Sequence, residues 1–223
     1  SNVTAASVTA RGFVPAGKLR VVPNAVDGAV FTPRARARPL RRTRVGGAEP
    51  DPIVGTMARL VRPKDLPTLV RAAARVAVRR PGVRFLLGGD GPERAPLEAL
   101  RQKLALGTQL VMPGTVASRE LLTGLDVALL TSSHEGMPNF VLEAMAAGVP
   151  VVSTRAGAVP EILGDGALGG LAAVGDDAGL ADAILASLEA PDGARAMAAR
   201  AAAAVAALSA EAIADRYLAI LRG

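Results

Sequence analysis

From residue 53 onward the chain alternates between short apolar runs and longer stretches in which apolar residues recur every three or four positions. The runs are IVGTM (53–57), VRFLLGG (83–89), LVMPG (110–114), VALLT (127–131), VVS (151–153) and LAAV (171–174). They are mostly apolar throughout, with little polar alternation, so they fit strands covered on both faces. Between them, 66–80, 93–106, 139–147 and 178–190 read as helices. Strand and helix in regular succession predict an α/β fold built on a doubly wound parallel sheet.

The two ends of the chain differ from this pattern. Residues 193–223 consist almost entirely of strong helix formers, but Ser209 can cap a new helix whose first turn holds Glu211, so two C-terminal helices packed on the sheet's flank are expected. LRVVPNAVDGAVFTP (19–33) reads as one strand with a turn-rich exit through Pro23, Asn24, Asp27 and Gly28. A lone strand without sheet partners suggests the remnant of another domain. The expected division is therefore 1–50 as an interdomain segment and basic linker, 51–190 as the α/β domain, and 191–223 as terminal helices.

Composition removes several function classes. There is no cysteine, which excludes disulfides, thiol catalysis and thiolate metal sites and makes a reducing, cytoplasmic compartment the expectation. His134 is the sole histidine, so a histidine-based metal cluster is excluded and a structural role for it is expected. One Tyr, four Phe and no Trp leave few rings on which bases could stack, which argues against nucleic acid as a partner. No apolar run reaches the roughly 20 residues that a bilayer span needs. The chain begins without Met, and a fragment is expected.

The formal charge of +6 is carried on its positive side almost wholly by arginine, since the only lysines are Lys18, Lys64 and Lys103. The densest basic segment, RARARPLRRTR (34–44), is interrupted by proline and has no helical apolar period. Two readings of it stand: a solvated linker, or a peripheral attraction to an anionic membrane face.

In open parallel sheets ligands settle beyond the carboxyl ends of the strands. Arg59 and Lys64 follow the first run, Gly88, Gly89 and Gly91 the second, and Glu135 and Gly136 the fourth. In HEGMPNFVLEAMAAGVP (134–150), Gly136 permits close backbone approach, Pro138 suits a helix start and Gly148 a helix stop. The free N–H groups at that start suit phosphate oxygens, while Glu135 and Glu143 are better used on hydroxyls than on an anion. Arg59 and Lys64 supply cations for the phosphates, one a planar fork and the other a mobile point charge. Cations, helix start and two carboxylates together describe a nucleoside diphosphate sugar. Taken singly, each charge is more often solvated surface, and GGDGP (88–92) lacks the full dinucleotide glycine fingerprint and reads as a tight turn.

VVPNAVDGAVFTP, ARLVRPKD, LLGGDGP, MPGTV, HEGMPNFVLEAMAAGVPVVST and GAVPEIL stand in the order found in the group 1 (family 4) retaining glycosyltransferases of GT-B fold, which the chain resembles over nearly its whole length. The resemblance implies the C-terminal, Rossmann-like, donor-binding half of such an enzyme plus its connecting segment. The acceptor, whether glycan, lipid or small molecule, would be bound mainly by an N-terminal domain absent from this chain, and the piece alone is expected to transfer little. By the family pattern Arg59 and Lys64 would hold the donor diphosphate, Glu143 the ribose hydroxyls and Glu135 the transferred sugar. The backbone of Gly136, Met137, Asn139 and Phe140 would line sugar and phosphate, and Val116 would lie against the nucleobase. Neither cofactor nor metal is implied. Ala58 and Asp65 depart from positions that are often glycine in the family. Alternatives are a nucleotide-sugar 2-epimerase-like isomerase, a noncatalytic nucleotide-binding module and, if GGDGP cradled a pyrophosphate, an oxidoreductase.

Overall fold

A computed structural model describes residues 1–31 and 51–222 of the chain. The basic segment 34–44 lies outside the described residues. In chain order the elements are α1 (Asn2–Ala10), β1 (Ile53–Met57), α2 (Leu66–Arg79), β2 (Arg84–Gly88), α3 (Arg94–Lys103), β3 (Leu110–Gly114), α4 (Ser118–Gly124) and β4 (Val127–Leu130). There follow α5 (Asn139–Ala146), β5 (Val151–Thr154), α6 (Val159–Ile162), β6 (Gly170–Ala172), α7 (Asp177–Glu189), α8 (Pro191–Val205) and α9 (Ala210–Arg222). The six strands form one parallel sheet in the order β3-β2-β1-β4-β5-β6. This is the doubly wound architecture that the apolar runs predict, each strand falling within two residues of its run.

The sheet buries both faces because successive strand residues point to opposite sides. Val54, Phe85, Leu87, Val127, Leu129 and Val152 pack with the apolar sides of α2, α3 and α7. Ile53, Leu86, Ala128, Leu130 and Val151 pack on the other face with α4, α5 and α8. Each fully buried leucine or valine here contributes about 1.5–3 kcal/mol through removal from water. Gly55 in the middle of β1 is filled by Leu125, whose Cδ2 would stand 2.7 Å from any added Cβ.

Two features of the fold depart from the sequence pattern. The strand expected within 19–22 is absent: that stretch carries no regular structure and lies on no sheet edge. The segment is nonetheless integrated into the molecule, since Val26 is buried in the core and its N–H donates to Leu208 O at 2.8 Å. Helices α1, α4 and α6 have no counterpart among the expected elements. All three are short, at 9, 7 and 4 residues, and α1 mixes β-branched residues with serine and alanine without a clear apolar face. The break at Ser209 occurs as expected: its Oγ accepts from Ala212 N–H at 3.2 Å at the start of α9.

Candidate functional site

The order of the sheet decides where a site can form. The connection leaving β1 runs toward β2, while the chain re-enters the sheet on the other side of β1 as β4, so the loops following β1 and β4 part at a crevice. The β1–α2 connection carries Arg59 and ends in a 3-10 turn, Arg62–Lys64. It is held from one side by the glycine-rich turn after β2: Ala58 N–H donates to Gly88 O at 3.0 Å, Leu60 N–H to Asp90 O at 2.9 Å, and Glu93 N–H to Leu60 O at 3.0 Å. Gly89 has φ +123°, and a Cβ there would stand 1.9 Å from Ala58 O. The GGDGP turn thus exists to let two backbones touch.

From the other side, the loop after β4 grips the same connection. Thr131 Oγ1 donates to Lys64 O at 2.9 Å and Ser133 N–H to Pro63 O at 2.9 Å. These bonds bring the Lys64 ammonium onto Glu135, Nζ to Oε1 at 2.6 Å, with the glutamate side chain only 10% exposed. Ser132 Oγ donates to the same oxygen at 2.6 Å, and Thr154 Oγ1 at the end of β5 donates to Ser132 O at 2.6 Å. A largely buried ion pair survives when further hydrogen bonds satisfy its atoms, which is what Ser132 supplies. Among the described residues Glu135 Oε2 has no hydrogen-bond partner, and two of the three Lys64 N–H donors stay free.

Gly157, after β5, closes the arrangement from behind. Its φ is +54°, and a Cβ there would lie 1.7 Å from Glu135 O, so only glycine lets the two loops meet. Past Glu135 the chain enters α5. Pro138 occupies the N-cap position and no side chain caps the helix, which leaves the N–H groups of Asn139 and Phe140 unpaired among the described residues. One turn on, Glu143 accepts from Ser118 Oγ at the start of α4. The helix stops at Gly148, φ +64°, whose N–H donates to Met145 O at 3.0 Å.

Residues 51–190 match the family model for glycosyl transferases group 1. The chain belongs to the group 1 glycosyltransferases. It is 35% identical over 168 residues to the lipopolysaccharide core biosynthesis glycosyltransferase LpsE of Rhizobium meliloti, an alignment covering 75% of this chain and 46% of that protein. It is 34% identical over 179 residues to the 2-deoxystreptamine glucosyltransferase of Streptomyces kanamyceticus, covering 77% of this chain and 45% of that one. The chain thus spans less than half the length of these curated relatives. Sucrose-phosphate synthase from Thermosynechococcus elongatus superposes on all of it with TM-score 0.87 and 28% identity, over 56% of that protein. Anabaena HepE, solved with UDP and glucose, superposes on 97% with TM-score 0.87 over 60% of its own chain, and at 23% identity it speaks for the fold alone. The sheet is the Rossmann-like half of a GT-B glycosyltransferase.

In this glycosyltransferase domain the expected site residues fall as follows. Lys64 and Glu135 are in contact; Gly136 and Asn139, one and four residues on, are exposed, and Met137 is half-buried. Arg59 is exposed on the same connection as Lys64 and has no ion-pair partner among the described residues. Glu143 is half-buried and joined to Ser118 across α4 and α5, not to either cation. Phe140 is buried in the core, leaving its backbone as the part that can face a ligand. Val116 is 7% exposed and stacks over Gly88, where its Cγ2 would stand 3.0 Å from an added Cβ, so its flanking neighbours Thr115 and Ala117 present the open surface. His134 is exposed, its Nδ1 3.0 Å from Ser133 Oγ.

Asp65, where glycine is frequent in the family, has φ +41° and is therefore in the left-handed region that glycine favours. It stands at the N-cap position of α2, but its carboxylate accepts from Thr68 Oγ1 at 2.7 Å and caps no backbone N–H. Sequence reasoning passed over Thr131, Ser132, Thr154, Gly157 and Ser118. For Thr131, Ser132 and Thr154 there was a signal, since hydroxyl residues that end otherwise apolar strands need acceptors there; Ser118 and Gly157 carried none.

Proposed function

We propose that this chain is the donor-binding half of a retaining glycosyltransferase, which moves a sugar from a nucleoside diphosphate sugar to an acceptor held mainly by an N-terminal domain outside this chain. The observation that carries the reading is the Lys64–Glu135 contact at the β1/β4 crevice, with donors of one and an oxygen of the other still free, beside the uncapped start of α5. A cation and a hydroxyl acceptor thus adjoin, as the junction between a diphosphate and a sugar ring requires. Lys64, Arg59 and the unpaired N–H groups of Asn139 and Phe140 would take up the negative charge that builds on the diphosphate as the glycosidic bond breaks, which is electrostatic catalysis. Glu135 Oε2 would accept from a sugar hydroxyl. Glu143, one oxygen of which is anchored by Ser118, would accept from the ribose diol with the other. This use of side chains needs neither metal nor cofactor.

Calorimetry with UDP-, GDP- and ADP-sugars on the 223-residue chain tests the reading. One of the three is expected to bind, more tightly than its free nucleotide, and the Lys64→Ala chain is expected to bind it less well. Failure of all three to bind would overturn the assignment. A noncatalytic nucleotide module would bind the nucleotide with no preference for the sugar.

The cysteine-free composition supports a cytoplasmic location, and residues 34–44 would supply attraction to an anionic membrane face. Vesicle co-sedimentation before and after neutralising those arginines would decide the second point.

A further inference from the structure

The segment that carries Asn24 is tied to the start of α5 by three hydrogen bonds. Asn24 Nδ2 donates to Met137 O at 3.0 Å and to Asn139 Oδ1 at 2.7 Å, and Asn24 N–H donates to Met137 Sδ at 3.0 Å. A carbonyl oxygen can only accept, so the Met137 bond dictates which end of the Asn24 amide faces α5. The Asn24 NH₂ group has two hydrogens, and both are then spent, one on Met137 and one on Asn139. Asn139 must therefore turn its oxygen toward Asn24. What remains is the Asn139 Nδ2 group: two N–H donors, exposed, without a partner among the described residues, on the first residue of α5.

We infer that Asn24 is a positioning residue of the donor site, which sets the Asn139 carboxamide so that it presents donors to an anionic or hydroxylated ligand. The inference rests on the donor-site reading above and adds a side chain from outside the α/β unit to it. Asn24 is held in register by its own surroundings. Two residues on, Val26 is buried and its N–H is bonded to Leu208 O at 2.8 Å, which anchors the segment between α5 and the C-terminal helices. The segment expected to be the leftover of another domain thereby becomes a wall of the site, and the amide of Asn139 is oriented by chain lying more than a hundred residues away in sequence.

The test is a calorimetric double-mutant cycle on the 223-residue chain with UDP, GDP and ADP, using whichever binds. Asn24→Ala frees the Asn139 amide to rotate and is expected to weaken binding about 5-fold, the worth of one hydrogen bond. Asn24→Asp can only accept, so it draws Asn139 Nδ2 inward and turns Oδ1 toward the ligand; a loss of roughly 10-fold or more is expected, persisting in 0.5 M salt where a through-space charge effect is screened. In an Asn139→Ala background, Asn24→Ala is expected to have no further effect on binding. The inference is overturned if Asn24→Asp binds like the unmodified chain, or if the two alanine substitutions weaken binding independently. A loss at Asn24 that only follows lowered thermal stability, with Asn139→Ala binding normally, overturns it as well. If the unmodified chain binds none of the three nucleotides, the donor-site reading itself fails. If it binds one, and Lys64→Ala weakens that binding while the Asn24 variants do not, only the positioning role is lost.

Discussion

At the scale of single residues, the site is a contest over a few donors. Lys64 donates to Glu135, and because an ammonium has three donors it can serve an anion as well. Lys64→Ala and Arg59→Ala are each expected to weaken nucleoside diphosphate binding by roughly 1–3 kcal/mol, the scale of a charge-assisted hydrogen bond, as read by calorimetry. The lysine change should cost more in stability than the arginine change, because it leaves Glu135 largely buried with only Ser132 to balance its charge. Glu143→Ala should weaken ribose-containing ligands while leaving binding of free pyrophosphate close to unchanged; equal losses for both would contradict the ribose role. Gly157→Ala drives a methyl group into Glu135 O at a positive φ, and thermal unfolding should report a loss of about 1–3 kcal/mol or more together with weakened donor binding.

Elements contribute through how their ends are built. The turn from β1 into α2 passes through Asp65 in the left-handed region, which costs a non-glycine residue about 1–2 kcal/mol, and part of that is offset by the bond from Thr68. Asp65→Gly should therefore leave the urea midpoint nearly unchanged, because relief of strain and loss of the bond oppose each other. Asp65→Ala keeps the strain and loses the bond, so its midpoint should fall by the equivalent of about 1 kcal/mol. The end of β2 behaves in the opposite way: any side chain at Gly89 collides with backbone at Ala58, which cannot move without breaking its bond to Gly88 O at the carboxyl end of β1, where the connection carrying Arg59 and Lys64 begins.

For the molecule as a whole, the two layers of helices hold the sheet while the crevice stays open along one edge. The chain spans less than half the length of the curated relatives it matches, so on the proposed reading the 223-residue piece should bind donor yet transfer sugar at a small fraction of the rate found when it is joined to an acceptor-binding domain. Product analysis by NMR of that joined protein should show the anomeric configuration retained; an inverted product would overturn the retaining assignment.

What the sequence determined by itself follows from local rules. Six apolar runs marked six strands because burial on both faces leaves no room for polar alternation, and Gly148 and Ser209 marked helix ends because few residues serve there. Arg59, Lys64 and Glu135 stood out as candidates because they follow strands directly; the structure brings Lys64 onto Glu135 and joins Glu143 to Ser118 instead. The fate of 19–31 was not legible: a strand is defined by a neighbour, and whether Val21 and Val22 find a sheet edge is decided far along the chain. Nor could any local pattern say that Lys64 would settle on Glu135, that Gly157 would back it, or that Asn24 would orient Asn139. Those contacts join residues separated by 22 to 115 positions, and they exist only because strand order folds the loops after β1, β4 and β5 onto one edge and draws the N-terminal segment against α5.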